Sequence, residues 1–310
     1  MIKKFLIVGF GGMGCRHTQS LVNVYKDSIV YIFEPNYDTY KKNLDIIGES
    51  SNKNIFHITR LNDIKSEIDF CVVATSSEPR FQILKELLNY DINHFLIEKV
   101  VFQSKNQFDK IEELIGNQSI YVNFVNRYFK NYIKIKNDIK KQPFSIDIIG
   151  GEFGLGCNAL HYFDLFKYFG ASSIYLDKYN LKLNDNINKR GNQYKEVLGQ
   201  ISLKSNNNSS LNISSDLERK DVEISIKYNN KTHIINESLL THLQFLENEI
   251  RSDDFMIEYT SVLTAKIYND ILYSKCLLPK IHETKDIHLF LFESINKSID
   301  IDINEICPIT

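Results

Sequence analysis

The stretch Phe5-Leu6-Ile7-Val8-Gly9-Phe10-Gly11-Gly12-Met13-Gly14-Cys15 constrains this chain more than any other. Four apolar residues run directly into Gly-x-Gly-x-x-Gly, and a helix-compatible segment follows. Strand, glycine turn and helix, in that order, are the setting in which this spacing binds a dinucleotide. Gly9 permits a tight turn off the strand. Gly11 lacks a Cβ, so a pyrophosphate can approach the backbone, and Gly14 lets the helix pack near the strand. The helix start at Gly12 and Met13 offers unpaired N–H groups and a partial positive charge to phosphates. Val30-Tyr31-Ile32-Phe33-Glu34 then places an acid twenty residues after Gly14, at the end of a second strand. A carboxylate there accepts the ribose 2′-OH and repels a 2′-phosphate. Pro35 and Asn36 add no arginine to reverse that preference, so NAD is expected over NADP.

At 310 residues the chain is long for one domain, and two are expected. Hydrophobic residues at 43% and charged residues at 25% suit a soluble protein with a sizeable core. A formal net charge of −2 gives no long-range pull on nucleic acid or an anionic membrane, so neither is an expected partner. Between Lys130 and Lys141 the lysines alternate with Tyr132, Ile133, Ile135 and Ile139, as in an amphipathic helix with a solvated basic face. The five cysteines are scattered, odd in number and without C-x-x-C, which argues against a disulfide framework or zinc site and for a reducing cytoplasm. No metal site is expected. The apolar run before the glycines is shorter than a signal-peptide core of about 7–15 residues, and no later run approaches the ~18 apolar residues of a membrane span.

Strand and helix patterns alternate through the first 124 residues. Asn54 to Thr59 reads as a short strand. Asp69 to Thr75 is a continuous apolar run, as in a parallel strand covered on both faces. Pro79 suits the first turn of the helix that follows. His94 to Lys99 and Ser119 to Phe124 make two further strands. The alternation implies a doubly wound parallel sheet, whose ligands bind beyond the carboxyl ends of the strands. Thr75 and Lys99 fall at such ends, and Asn123, Asn126 and Arg127 follow the last strand. An ammonium at Lys99 could bond a substrate oxygen and stabilise negative charge developing on it.

From residue 125 the pattern changes. Ser145–Phe153, Ser173–Leu183, Val197–Leu203, Leu211–Ser215 and Val222–Tyr228 read as strands joined by polar turns, and several alternate apolar with polar residues. An antiparallel sheet with one covered face is expected. Leu239–Ile250 and Tyr259–Ser274 read as helices, and Ile299–Ile303 as an exposed strand edge. Between the strands, Gly156 and Asn158 look like the entry to a helix ending near Gly170. Cys157, His161 and Asp164 share a face at helical spacing. His161 is the best proton carrier on offer, and Asp164 one turn on could fix its tautomer. The expected fold is therefore α/β: a Rossmann doubly wound parallel sheet over 1–124, then a substrate-binding and oligomerisation α/β domain with a largely antiparallel open sheet over 125–310.

Gly9-x-Gly11-x-x-Gly14, Glu34, Ala74-Thr75, Glu98-Lys99, Asn126-Arg127 and His161 fall in the order seen in the Gfo/Idh/MocA oxidoreductases. The chain resembles that family over nearly its whole length. The resemblance implies NAD(P)-dependent hydride transfer to or from a sugar or nucleotide sugar, in surface-polysaccharide synthesis. Lys99 and His161 would be catalytic, and Thr75, Ser76, Glu98 and Lys99 would join the glycines and Glu34 around the cofactor. Asn126, Arg127, Asn158 and Asp164 would hold the substrate. The open sheet face would form a homodimer or homotetramer contact. Two positions depart from the family pattern: Val100 stands where proline normally follows the lysine, and Cys157 stands where many members carry aspartate. They leave open a cofactor-binding sensor or accessory protein with a degenerate site.

Overall fold

The computed structural model describes residues 2–48, 54–64, 67–184 and 191–310. The chain divides into two compact units, one formed by Met1–Phe102, Asn106–Asn123 and Glu258–Thr284, the other by Gln103–Lys105, Phe124–Ile257 and Lys285–Thr310.

The first unit is built on six parallel strands among the described residues: β1 (Lys4–Val8), β2 (Ile29–Phe33), β3 (Ile55–Ile58), β4 (Phe70–Val73), β5 (His94–Ile97) and β6 (Ser119–Val122). They lie in the order β3-β2-β1-β4-β5-β6. The order reverses between β1 and β4, which opens a crevice at their carboxyl ends. Phe5 to Val8 and Phe70 to Val73 are wholly buried, as strands covered on both faces must be. Helices α1 (Gly12–Val24), α2 (Tyr37–Ile47), α3 (Ser77–Leu87) and α4 (Lys105–Leu114) connect the strands. Asn36 caps α2 through the Thr39 N–H at 2.8 Å.

After a long excursion the chain returns to this unit as a further helix, Thr260–Leu272. Ser20 Oγ donates to Val262 O and accepts from Ala265 N, both at 2.9 Å. Tyr268 sets its ring against Phe5, Tyr25 and Phe70.

The second unit carries an eight-stranded sheet in the order β14-β13-β12-β11-β7-β10-β9-β8. Its strands are β7 (Phe144–Gly150), β8 (Ile174–Asn184), β9 (Glu196–Ser205), β10 (Ser210–Ser215), β11 (Val222–Tyr228), β12 (Lys231–Asn236), β13 (Thr241–Leu246) and β14 (Glu249–Asp254). All neighbours are antiparallel except β7 and β10. Helices α5 (Lys130–Ile139) and α6 (Leu155–Tyr168) precede most of the sheet; with the returning helix numbered α7, the last is α8 (Lys285–Ser298). No described helix is long and apolar enough to cross a membrane.

Two expectations fail in this unit. The spacing of Leu239, Leu243, Leu246 and Ile250 predicts a helix, yet the segment is the hairpin β13–β14. The Asn236 side chain accepts the Ser238 and Leu239 N–H groups and turns the chain, and His242 then pairs across the sheet with Ile235. The alternation at Ile299–Ile303 is not a strand edge but the wrap after α8, where Ile301 N bonds Asn296 O and Asn296 Nδ2 bonds Asp302 O.

Candidate active site

At the end of β1 the glycines divide into two kinds. Gly9 has φ +85°, and a Cβ on it would lie 2.9 Å from Thr75 N. A Cβ on Gly14 would lie 2.0 Å from Gly9 O. The protein's own packing thus requires glycine at both positions. Nothing lies within 4 Å of a Cβ built on Gly11 or Gly12. That space borders the start of α1, which has no side-chain cap and no acid in its first turn. Exposed amides, the positive end of a helix and an empty cradle suit a pyrophosphate. Met13 is exposed beside it.

Glu34 closes the turn from the other side. Its Oε2 accepts Phe10 N–H at 2.8 Å and its Oε1 accepts Asn36 N–H at 3.0 Å. The carboxylate is fixed with lone pairs to spare. His57 Nε2 lies 2.8 Å from Glu34 O, and its ring stacks on Tyr40 at 4.2 Å. The loop after β4 carries a half-buried Thr75 and an exposed Ser76. Thr75 Oγ1 is buried with no hydrogen-bond partner among the described residues, a hydroxyl beside the glycine turn that a bound ligand could satisfy.

After β5 comes Glu98, 8% exposed. Its Oε1 lies 3.0 Å from His17 Nε2 and accepts Asn123 Nδ2 at 2.6 Å. His17 Nδ1 lies 2.8 Å from Thr264 Oγ1, whose hydroxyl donates to Thr260 O at 2.9 Å. Burial opposes ionisation of Glu98, but the hydrogen bond and charge of His17, the Asn123 bond and the Lys99 charge carry its carboxyl down to about 2. Lys99 follows, half-buried; the Lys99–Val100 peptide is cis, and Val100 is fully buried. Arg80, 2% exposed on α3, donates to the carbonyls of Glu98, Val100, Val101 and Thr75.

In the second unit the 3-10 turn Val125–Tyr128 follows Phe124 and carries a buried Asn126 and a half-buried Arg127. Arg127 forks onto Asp164 of α6, Nε to Oδ2 at 2.8 Å and Nη2 to Oδ1 at 2.7 Å, with its guanidinium over the Tyr168 ring. His161, also on α6, is half-buried with the Phe124 ring edge-on at 5.9 Å. Asn158 Nδ2 donates to Phe153 O, and Cys157 Sγ lies 3.6 Å from Gly154 O, so both brace the helix entry.

Each unit therefore gathers part of the expected set. The glycines, Glu34, Thr75, Ser76, Glu98 and Lys99 lie on strand ends and loops of the first. Asn126, Arg127, Asn158, His161 and Asp164 lie on the 3-10 turn and α6 of the second. Neither His17 nor Arg80 is flagged by the glycine fingerprint. The available signal is phase: Arg80 shares the buried face of α3 with Leu84 and Leu87, where a charge is costly unless it is bonded.

A parallel six-stranded sheet with an open glycine turn after β1 and an acid fixed just beyond β2 defines a dinucleotide-binding Rossmann domain. Residues 3–123 match the family model described as "Oxidoreductase family, NAD-binding Rossmann fold", GFO_IDH_MocA. Residues 3–123 thus carry the NAD-binding Rossmann domain of that oxidoreductase family. Among solved structures it is similar to the UDP-N-acetylglucosamine 3-dehydrogenase GnnA from Acidithiobacillus ferrooxidans, at 11% identity and TM-score 0.76, covering 97% of this chain and 98% of that one. An oxidoreductase from Agrobacterium radiobacter, in complex with NAD+, L-tartaric acid and magnesium, matches at 10% identity and TM-score 0.76, covering 98% and 99%. The dehydrogenase MviM from Clostridium difficile matches at 17% identity and TM-score 0.72, covering 96% and 99%. These likenesses establish the fold along nearly the whole chain. No curated protein matches it by sequence.

Proposed function

We propose that the protein is a dehydrogenase or reductase of a sugar or nucleotide sugar. Bound NAD supplies a hydride acceptor or donor at nicotinamide C4. Gly11, Gly12 and the start of α1 hold the pyrophosphate, Glu34 the adenosine ribose, and the Thr75 hydroxyl a further polar group of the cofactor. Lys99 bonds the reacting substrate oxygen and offsets charge developing on it, and His161 exchanges its proton. Asn126, Arg127, Asn158 and Asp164 shape the substrate side.

One observation carries this reading: Lys99 stands at the carboxyl end of β5, directly after an acid whose carboxylate is bonded by His17 and Asn123. A lysine so placed is pre-set, and pre-set charge is what stabilises an oxyanion. The nucleotide-sugar class draws support from the likeness to GnnA, a UDP-N-acetylglucosamine 3-dehydrogenase, and a place in surface-polysaccharide synthesis is part of the same proposal. A homodimer or homotetramer through the open sheet face belongs to the same reading, and sedimentation velocity tests it.

The test is NADH oxidation and NAD+ reduction across a panel of sugars and UDP-sugars. One member should turn over, and Lys99→Ala and His161→Ala should each lower kcat by about 100-fold or more. Tight NAD binding without turnover anywhere on the panel would overturn the proposal in favour of a cofactor-binding sensor.

A further inference from the structure

Arg80 is a charged side chain at a core position. It lies on the buried face of α3 with Phe81, Leu84 and Leu87 and is 2% exposed. Taking a guanidinium out of water is costly, and this one is compensated by main-chain carbonyls from two separate loops. Nη1 donates to Glu98 O at 2.6 Å, to Val101 O at 3.4 Å and to Val100 O; Nη2 donates to Thr75 O. Three of these carbonyls bracket Lys99, one before it and two after. The fourth belongs to Thr75, at the end of β4.

We propose that Arg80 is a positioning residue for Lys99, its guanidinium locking the backbone on either side of that lysine to the Thr75 loop. The inference rests on reading Lys99 as the group that contacts substrate. The chemistry of the fork makes the choice of arginine specific. A planar guanidinium presents donors in fixed directions and can hold carbonyls of two loops at once. A lysine ammonium is a point donor on a flexible stem and does not impose that geometry. Glu98 is held a second time through its carboxylate by His17 and Asn123, so its carbonyl and its side chain are each tied to separate partners. Lys99 therefore leaves a backbone with little freedom to shift, and its long side chain starts from a set origin. A displacement of about 1 Å at a reacting group can cost about 100-fold in rate.

Arg80→Lys keeps the charge and loses the fork; Arg80→Gln keeps a planar pair of donors and loses the charge. Both are made in the full chain. The first readout needs no substrate: trace acetylation of lysines with acetic anhydride, quantified by peptide mass spectrometry, with the exposed Lys26 and Lys41 as internal references. Lys99 labelling relative to those references should change severalfold in both variants. With a substrate from the panel, kcat should fall about 100-fold in Arg80→Lys while KM stays nearly constant. A lowered melting temperature with Lys99 labelling unchanged in either folded variant would make Arg80 merely structural and overturn the proposal. If wild-type protein turns over nothing, the catalytic reading of Lys99 fails by itself. The labelling then still decides whether Arg80 sets that lysine.

Discussion

Arg127 and Asp164 meet in two parallel hydrogen bonds, 2.8 and 2.7 Å long, that tie the turn after Phe124 to the middle of α6. The Asp164 side chain is 1% exposed and that of Arg127 15%. Removing one partner of such a pair leaves the other charge poorly solvated, at a cost of several kcal/mol. Asp164→Ala should destabilise the protein by about 3 kcal/mol in urea unfolding, and Asp164→Asn, which keeps one acceptor, by less. NAD affinity should not change in either. Equal stability of Asp164→Ala and wild type would show that the pair does not hold in solution.

The glycine turn separates folding from binding. Gly11→Ala adds a methyl to open space, so the melting temperature should hold while NAD affinity falls by about tenfold or more, because the methyl occupies the phosphate approach. Gly14→Ala drives a methyl into Gly9 O and should lower stability outright. Parallel melting curves and NAD titrations of the two variants make the comparison.

Cofactor choice should rest on Glu34. Wild-type protein should bind NAD at least about tenfold more tightly than NADP, and Glu34→Ala should narrow the gap chiefly by weakening NAD. Because the carboxylate also accepts Phe10 N–H, part of that loss reflects a looser turn. Fluorescence titration with both reduced cofactors reads the outcome directly.

His17→Ala leaves the Glu98 carboxylate buried with Asn123 and should cost about 3–5 kcal/mol in chemical unfolding. The Glu98 carboxyl, set at about 2 in the folded chain against 4.5 ordinarily, contributes stability that is present above 4.5 and lost as pH falls through 2. In His17→Ala that acid-side loss should begin at higher pH. An acid titration followed by circular dichroism distinguishes the two profiles.

A second pH effect belongs to the other unit. Asn131 Nδ2 meets His242 Nδ1 at 3.0 Å, His242 Nε2 meets His233 Nδ1 at 2.9 Å, and His233 Nε2 meets Tyr228 OH at 2.8 Å. Tyr228 OH in turn donates to Asp138. Burial lowers both histidines, His233 further through its histidine neighbour and down to about 4, against the opposing pull of Asp138. At His233 the unfolded chain takes up a proton near 6.5 that the folded chain refuses until about 4, and His242 shifts in the same direction. Stability should therefore decline as pH drops through that window, and His233→Gln should flatten the decline. A melting temperature independent of pH between 6.5 and 4 would contradict the assignment of neutral rings.

The legible parts of the sequence were those where one chemistry demands one spacing. Gly9 and Gly14 are fixed by backbone clashes, and Glu34 by its reach to Phe10 N–H, so strand, turn and acid could be read in order. The β13–β14 hairpin was not legible, because Leu239, Leu243, Leu246 and Ile250 fit a helical period while His242, which decides the matter, is buried against His233 on a neighbouring strand. Helix α8 hides in the near-continuous apolar run Ile287–Phe292, whose inward phase shows only once Ile287, Leu291 and Ile295 are seen buried together. Arg80 and His17 look like ordinary polar residues of amphipathic helices until the carbonyls and the carboxylate they meet, far along the chain, come into place.

The return of α7 to the first unit has a bearing on biosynthesis. Ser20, His17 and Tyr268 make bonds or ring contacts that join α7 to α1 and the sheet. A ribosome that has made only the segment matched by the family model has not yet made the helix that covers α1. Until residue 284 has emerged, the nascent nucleotide-binding layer exposes Phe5, Phe70 and the inner face of α1, and it must wait for the intervening 134 residues, 124 to 257, to be threaded out. A gene fragment cut at 123 would yield an aggregating polypeptide. One that fuses 258–284 behind it through a flexible linker would yield an autonomous cofactor-binding module.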